Sequence, residues 1–221
     1  MYLKSASLLS LHLSCTQLTE INVDEANPYF SSLDGVLTDK NRTTIVAYPA
    51  GKGKRYIIPD GITKIGTHSF FACPITYIHT PNSVKTIELF AFASCTDLDT
   101  IILGNSVDSI EGAAFRINDS LKTIYSMNPI PPAAHPEAFS SFSPMFFIQC
   151  TLYVPVGSLQ AYKNAEVWKN FKNIVENDFT GIERPSPDKA KIFGNKNSIS
   201  FRNIEPGTDI SIYDTTGKCI K

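Results

Sequence analysis

The apolar positions in the middle of this chain recur at a fixed interval. Three successive segments, which begin at Ile58, Pro81 and Gly104, carry the same residue classes in equivalent slots. The period between slots is 22 and then 23 residues, as in Ile62, Val84 and Val107. A unit this short cannot enclose a hydrophobic core, so its apolar slots must be covered by the units before and after it. The pattern therefore predicts a solenoid with two short strands and a bend in each coil. The equivalent positions are Ile62, Val84 and Val107; Ile65, Ile87 and Ile110; Phe70, Phe92 and Phe115; Cys73, Cys95 and Asn118; Ile75, Leu98 and Leu121; and Ile78, Ile101 and Ile124.

The N-terminal residues match part of a coil better than a leader peptide. Lys4 is followed by a short apolar stretch that Ser10 and His12 interrupt, whereas a secretory leader carries about 7 to 15 apolar residues. Residues 14–23 match residues 94–103 slot by slot. We expect the chain to start inside a coil, with any export signal upstream or already removed.

The repeats resemble a known family. The segment TDLDTIILGNSVDSIEGAAFRIN, residues 96–118, nearly follows the pattern LxxIxLPxSVxxIxxxAFxxCxx, which is that of the BspA-like leucine-rich-repeat proteins of bacterial, Bacteroides-type cell surfaces. Residues 27–66 are similar to that family's longer hairpin-bearing repeat, with turn signals at Asp34-Gly35 and at 39–42. Two departures are Asn118, which stands where Cys is usual, and a degenerate coil at 127–144 with prolines at 129, 131, 132 and 136.

The predicted fold is mainly β: a right-handed leucine-rich-repeat solenoid of about four to five coils, a helical C-terminal cap and a small β tail. The solenoid covers residues 1–149, including the hairpin-bearing repeat at 27–57. Residues 150–179 form the cap, with Ser158 as a helix N-cap and Trp168 sealing the last coil. A linker at 180–189 leads to an incomplete β segment at 190–221, which resembles the opening strands of a Por-type C-terminal sorting domain.

Composition and charge exclude several classes of function. Twenty basic residues against 21 acidic ones give a net charge of −1, which offers no general attraction to nucleic acid or to anionic membranes. The longest apolar run, Leu89 to Ala93, is far below the roughly 20 residues that span a bilayer. No motif supplies a nucleophile with a base, a carboxylate pair or a phosphate-binding loop, and the histidines are isolated. We expect no enzymatic activity, cofactor or metal.

Two positions in the interior leave alternatives open. Cys73 and Cys95 share one slot in stacked coils about 5 Å apart, which allows a disulfide, but free Cys is also a common small buried residue. Asn118 in the same slot is expected to bond backbone groups through its amide. Phe139, in the degenerate coil, is expected to contribute less to stability than Phe92.

Function is expected on the strand face that the coils present to solvent. Alternation along L-x-x-I-x-L places one set of side chains outward, with His79, Ile102 and Tyr125 stacked in a column. The resemblance implies a monomeric surface or secreted protein that binds a host, neighbouring-cell or extracellular-matrix protein. The alternatives are a structural spacer or coat component without its own ligand and a carbohydrate-active module. The candidate binding residues are Tyr77, His79, Asp99, Thr100, Ile102, Lys122, Thr123 and Tyr125.

Overall fold

The structure is a computed structural model that describes residues 17–141, 143 and 145–180, together with the backbone of residues 191–195 and 198–202. The chain divides into two compact units, Met1–Thr180 and Gly181–Lys221. The described strands are β1 (Phe30–Leu33), β2 (Val36–Asp39), β3 (Thr44–Ala47), β4 (Arg55–Ile57), β5 (Lys64–Ile65), β6 (Tyr77–His79), β7 (Thr86–Ile87), β8 (Thr100–Leu103), β9 (Ser109–Ile110), β10 (Thr123–Ser126), β11 (Ala133–Ala134), β12 (Thr151–Pro155), β13 (Asn173–Asn177), β14 (Lys191–Asn195) and β15 (Ser198–Arg202).

The first unit is the predicted solenoid, in which successive coils contribute one strand to each of two sheets. One sheet has six parallel strands in the order β13-β12-β10-β8-β6-β4, and the other has seven in the order β1-β2-β3-β5-β7-β9-β11. Within each sheet, strands of successive coils pair in register, so that Ile65 pairs with Ile87 and Ile78 with Ile101. Within the described residues the solenoid has about six coils, one for each strand of the six-stranded sheet. This is more than the expected four to five, because β12 and β13, which lie in the segment assigned to the cap, also join that sheet.

The seven-stranded sheet begins with the predicted hairpins. β1 and β2 pair antiparallel around Asp34 and Gly35, whose φ angles of 50° and 73° are those of a two-residue type I′ turn. β2 then pairs antiparallel with β3, and β3 starts the parallel stack by pairing with β5. The meander therefore covers one side of the first parallel strand of this sheet.

A ladder of stacked rings runs through the core of the solenoid. Tyr48, Phe70, Phe92 and Phe115 occupy the same slot, and consecutive ring centroids lie 4.8–5.3 Å apart. The two middle rings are fully buried. These offset stacks add to the apolar area that each ring removes from water, so the ladder is a main source of cohesion between coils.

The slot that carries Cys73, Cys95 and Asn118 satisfies the backbone carbonyls beside this ladder. The Cys95 thiol donates to the Phe70 carbonyl at 2.9 Å, and the Asn118 amide donates to the Phe92 carbonyl at 2.9 Å. The predicted role of Asn118 is therefore confirmed. Cys73 and Cys95 are free and buried, which resolves the alternative left open by the sequence. Burial raises the pKa of the Cys73 thiol to about 12.

The surroundings of Phe139 argue against the expectation that this residue contributes less to stability than Phe92. Its ring is 1% exposed and stacks on Phe115 at 5.1 Å between ring centroids. Trp168 and Phe171 meet it edge-on at 5.5 and 5.6 Å. The four prolines of this segment predict that no regular strand forms, but the two residues of β11, between Pro132 and Pro136, still pair with β9. Phe139 thus joins the ring ladder to the C-terminal cap.

The cap consists of helix α1 (Phe146–Gln149), helix α2 (Leu159–Asn164) and a 3₁₀ turn (Trp168–Asn170). Trp168 is fully buried, as predicted, and its indole nitrogen donates to the Pro132 carbonyl at 2.7 Å. Ser158 precedes α2 but makes no capping hydrogen bond. Glu176 caps the helix instead, since one of its carboxylate oxygens accepts from the backbone nitrogens of Gly157 and Leu159.

In the second unit, β14 and β15 pair antiparallel, with Asn195 opposite Ser198. The other sequence-based expectations for the termini fall outside the described residues. These are the part of the expected coil at 14–23 that precedes residue 17, the linker over residues 181–189 and the sorting-domain resemblance of the last residues. Residues 17–23 are described and form no strand, although the Ile21 backbone nitrogen donates to the Gly35 carbonyl at 2.7 Å. No described helix is long and apolar enough to cross a membrane.

Candidate binding face

The side chains that alternate with the core residues of the six-stranded sheet form two columns, and each column takes one residue from each strand. The strand register fixes both columns, because each residue pairs with its equivalent one coil away. We call them the threonine column, Arg55, Tyr77, Thr100, Thr123, Thr151 and Asn173, and the aromatic column, Ile57, His79, Ile102, Tyr125, Tyr153 and Val175.

The register brings the predicted site residues together, but three of them are not exposed. Tyr77, His79 and Ile102 retain only 8%, 4% and 2% of their accessible surface, so the expectation that they face solvent is wrong. Alternation along a strand decides which face a side chain takes, but it does not say whether that face is covered. The Arg55 guanidinium lies 3.9 Å from the centre of the Tyr77 ring, a cation–π contact that covers part of it.

The other five predicted residues remain accessible. Asp99 and Lys122 are exposed at the entry to β8 and β10, and Thr100, Thr123 and Tyr125 are partly exposed. The Asp99 carbonyl accepts from the backbone nitrogens of Lys122 and Thr123 at 2.9 and 3.1 Å. These bonds hold the start of β10 in register and orient Lys122 beside the face.

A pair of stacked tyrosines lies at the accessible end of the aromatic column. The rings of Tyr125 and Tyr153 are 4.8 Å apart and nearly parallel, and Phe179 meets Tyr125 edge-on at 6.4 Å. Partial burial, with a smaller contribution from the neighbouring Tyr153 phenol, raises the pKa of Tyr125. The Tyr125 phenol is therefore a neutral hydrogen-bonding group at physiological pH.

Sequence analysis missed the second member of this pair and its neighbour Thr151. Residues 151–155 lie beyond the obvious repeats and were assigned to the closing segment. The signal that could have found them is the alternation T-L-Y-V-P, in which Leu152 and Val154 are fully buried and Tyr153 is not. We define the tyrosine patch as Lys122, Thr123, Tyr125, Thr151 and Tyr153.

Within the described part of the chain, no three His, Cys, Asp or Glu side chains come together in a way that could hold a metal ion. The buried Tyr162 phenol has its pKa raised to about 12 by burial, and it donates to the Asn128 carbonyl at 2.7 Å. This buried polar group therefore fastens the cap to the solenoid.

Comparison with known proteins finds a family that the repeats resemble. Residues 49–152 match the model for the BspA type leucine rich repeat region in six copies. No curated protein matches the chain at a significant level.

Solved structures of similar proteins include the pneumococcal vaccine antigen PcpA, with 19% identity over 72% of this chain and 50% of that chain and a TM-score of 0.47. The chain thus spans about half the length of PcpA. A leucine-rich repeat protein from Bacteroides capillosus has 24% identity over 62% of this chain and 98% of its own, with a TM-score of 0.39. The leucine-rich repeat protein of T. pallidum has 19% identity over 60% and 73%, with a TM-score of 0.38. Residues 49–152, a little under half of the chain, thus match a leucine rich repeat region of the BspA type and lie within the observed solenoid.

Proposed function

We propose that this chain is a protein-binding module of a bacterial cell-surface or secreted protein and that the tyrosine patch is its contact surface. Its partner is a host, neighbouring-cell or extracellular-matrix protein. Leucine-rich repeat proteins are generally non-enzymatic interaction modules, and the match to the BspA type supports the same role here. The observation that carries the proposal is the stacked, partly exposed pair of Tyr125 and Tyr153 on a regular sheet face.

The chemistry of the patch suits a protein partner. Tyrosine is enriched among the residues that dominate binding energy, because it offers a large rigid ring together with a hydrogen-bonding hydroxyl. Thr123 and Thr151 lie in register beside the pair, so their hydroxyls add adaptable hydrogen-bonding groups. Lys122 contributes an exposed positive charge at the rim, where charge acts mainly on the association rate and on specificity.

The test is binding of the purified chain to an array of extracellular-matrix proteins and glycans. Against any protein that is captured, the double variant Y125A/Y153A should bind at least about 30-fold more weakly, since loss of an interface tyrosine anchor costs about 2 kcal/mol or more. Tyr29→Ala is the matched control, because Tyr29 is 57% exposed on the hairpin segment, away from this face. Unchanged affinity of the double variant would reject the patch as the contact surface.

A structural spacer without its own ligand is the second candidate. It is favoured by the burial of Tyr77, His79 and Ile102, which removes three of the eight predicted binding residues from the accessible part of the face. The spacer predicts no saturable binding to any member of the array. A carbohydrate-active module predicts capture by glycans alone.

A further inference from the structure

A cleft of about 580 Å³ opens at the bend that follows the seven-stranded sheet, between the coil of β9 and the coil of β11. It is separate from the tyrosine patch, whose residues do not line it. Leu89, Phe90, Ile110 and Ala113 form its apolar part, and Arg116 and His135 are among its polar residues. Two interactions that repeat from coil to coil in the solenoid are missing at this cleft.

The first of these interactions is a hydrogen bond from a backbone nitrogen to a glutamate carboxylate in the next coil. Glu88 accepts from the backbone nitrogen of Thr67 at 2.9 Å, and Glu111 accepts from that of Leu89 at 3.1 Å. The next residue in this slot is His135 rather than glutamate. Within the described residues, no group accepts a hydrogen bond from the backbone nitrogen of Gly112, the equivalent of Thr67 and Leu89. The cleft therefore contains a donor whose counterparts each bind a carboxylate.

The second of these interactions is a stack of aromatic rings on the outside of the bend. His68 and Phe90 occupy the same slot, with ring centroids 5.1 Å apart and planes within 14° of parallel. The next residue in the slot is Ala113, which has the same left-handed backbone, with φ of 55° in both Phe90 and Ala113. Because alanine has no ring, the position beside Phe90 where a third ring would stack forms part of the cleft.

The charges around the cleft are mixed. Arg116 is exposed and pairs with no described carboxylate. The His135 Nδ1 atom accepts from the backbone nitrogen of Glu137 at 3.2 Å, so Nε2 carries the proton and can donate. Glu111 and Glu137 also line the cleft, but Glu111 is already held by the Leu89 backbone nitrogen. Glu137 opposes an anionic ligand, and Arg116 favours one.

We propose that this cleft binds an aromatic carboxylate. The ring of the ligand occupies the position next to Phe90 that Ala113 leaves open, and its carboxylate accepts from the Gly112 backbone nitrogen, the Arg116 guanidinium and His135. Such a group combines a charge-assisted hydrogen bond with ring stacking. Two sources have this chemistry: the C-terminal aromatic residue of a peptide and a free aromatic acid.

The test is a titration of the uniformly ¹⁵N-labelled chain with N-acetylphenylalanine, followed by amide chemical shifts. The expected result is saturable shifts at Gly112 and Ala113, with no saturation by N-acetylphenylalanine amide, which lacks the carboxylate. Phenylacetate and a peptide ending in phenylalanine separate the two sources: binding of the peptide alone indicates a protein C-terminus, and binding of both indicates a general site for aromatic acids.

Four variants and one control variant make the test specific. Ala113→Phe supplies the missing ring and His135→Glu supplies the missing carboxylate, and each should abolish binding. Arg116→Gln should weaken binding about tenfold, the effect of losing one charge-assisted hydrogen bond, whereas Glu137→Gln should strengthen it. Lys163→Gln, on α2, is the matched control and should change nothing.

No saturable shift in the wild-type chain would overturn the proposal. Retained binding by both Ala113→Phe and His135→Glu would also overturn it. Thermal melting and a dispersed amide spectrum establish that each variant is folded, and the proposal stays testable with either variant if the other does not fold.

Discussion

Replacing Phe139 by Ala should destabilise the chain as strongly as the same change at Phe92. Phe139 is 1% exposed and has four aromatic neighbours: Phe115, Phe146, Trp168 and Phe171, at centroid distances of 5.1, 6.4, 5.5 and 5.6 Å. Loss of a buried phenylalanine costs about 3 to 5 kcal/mol through the transfer free energy and the cavity left behind. Phe92 has two ring partners, Phe70 and Phe115. Because aromatic pairs add about 0.5–1.5 kcal/mol each, we expect the cost at Phe139 to equal or exceed that at Phe92.

Urea denaturation with two signals provides the assay. The chain has one tryptophan, Trp168, whose ring is 5.5 Å from that of Phe139, so its fluorescence reports on the cap, while far-ultraviolet circular dichroism reports on the whole solenoid. In the wild type the two transitions should coincide. In Phe139→Ala the fluorescence transition should move to lower urea and separate from the circular dichroism transition. The reason is that loss of the Phe139 ring contacts uncouples the cap from its neighbouring coil. A loss below about 1.5 kcal/mol, well under the usual range for such a change, would refute the reasoning.

Three further predictions concern the interior. Burial raises the thiol pKa to about 12 for Cys73 and Cys150, and well above the normal value for Cys95. Free thiols ionise above about pH 8.5, so at higher pH the unfolded state releases protons that the folded state keeps. The free energy of unfolding should therefore fall between about pH 9 and 12, by up to about 1.4 kcal/mol per thiol per pH unit, and equal urea midpoints at pH 8 and pH 10 would contradict this. Asn118→Ala removes the hydrogen bond to the Phe92 carbonyl and should lower the free energy of unfolding by about 1 to 3 kcal/mol. Asn118→Cys should cost less, because it restores the thiol donor of the two preceding coils. A urea denaturation series that ranks the two variants oppositely would contradict the role of this position as a donor to the backbone. Gly104→Ala should destabilise the chain by about 1 to 3 kcal/mol, because a Cβ there would lie 2.7 Å from the Pro81 carbonyl carbon. Gly112→Ala is the control, because a Cβ there meets side-chain atoms at 3.4 Å. Similar melting temperatures for the two variants would contradict the close approach at Gly104.

The sequence predicts the solenoid well because its period is a direct consequence of stacking. Equivalent slots such as Ile65 and Ile87 must pair, and an aromatic slot must form a ladder, so the register and the core follow from the repeat alone. Asn118 could be interpreted in the same way, since a polar residue in a buried slot needs a backbone partner.

The parts that were mispredicted depend on contacts between segments that share no repeat. Phe139 is buried by cap residues such as Trp168, which lie outside the periodic region. The helix cap comes from Glu176, on a distant strand, rather than from the adjacent Ser158. On the candidate face, alternation predicts the columns but not that Ile102 is covered.

The most direct test of the proposed function is hydrogen–deuterium exchange of the chain alone and in complex with the matrix or cell-surface protein captured from the array. The account predicts that binding slows exchange in the peptides that contain Lys122–Ser126 and Thr151–Pro155, where the tyrosine patch lies, and leaves the hairpin at Phe30–Asp39 unchanged. Protection confined to the hairpin or to α2, or the absence of any captured protein, would contradict it.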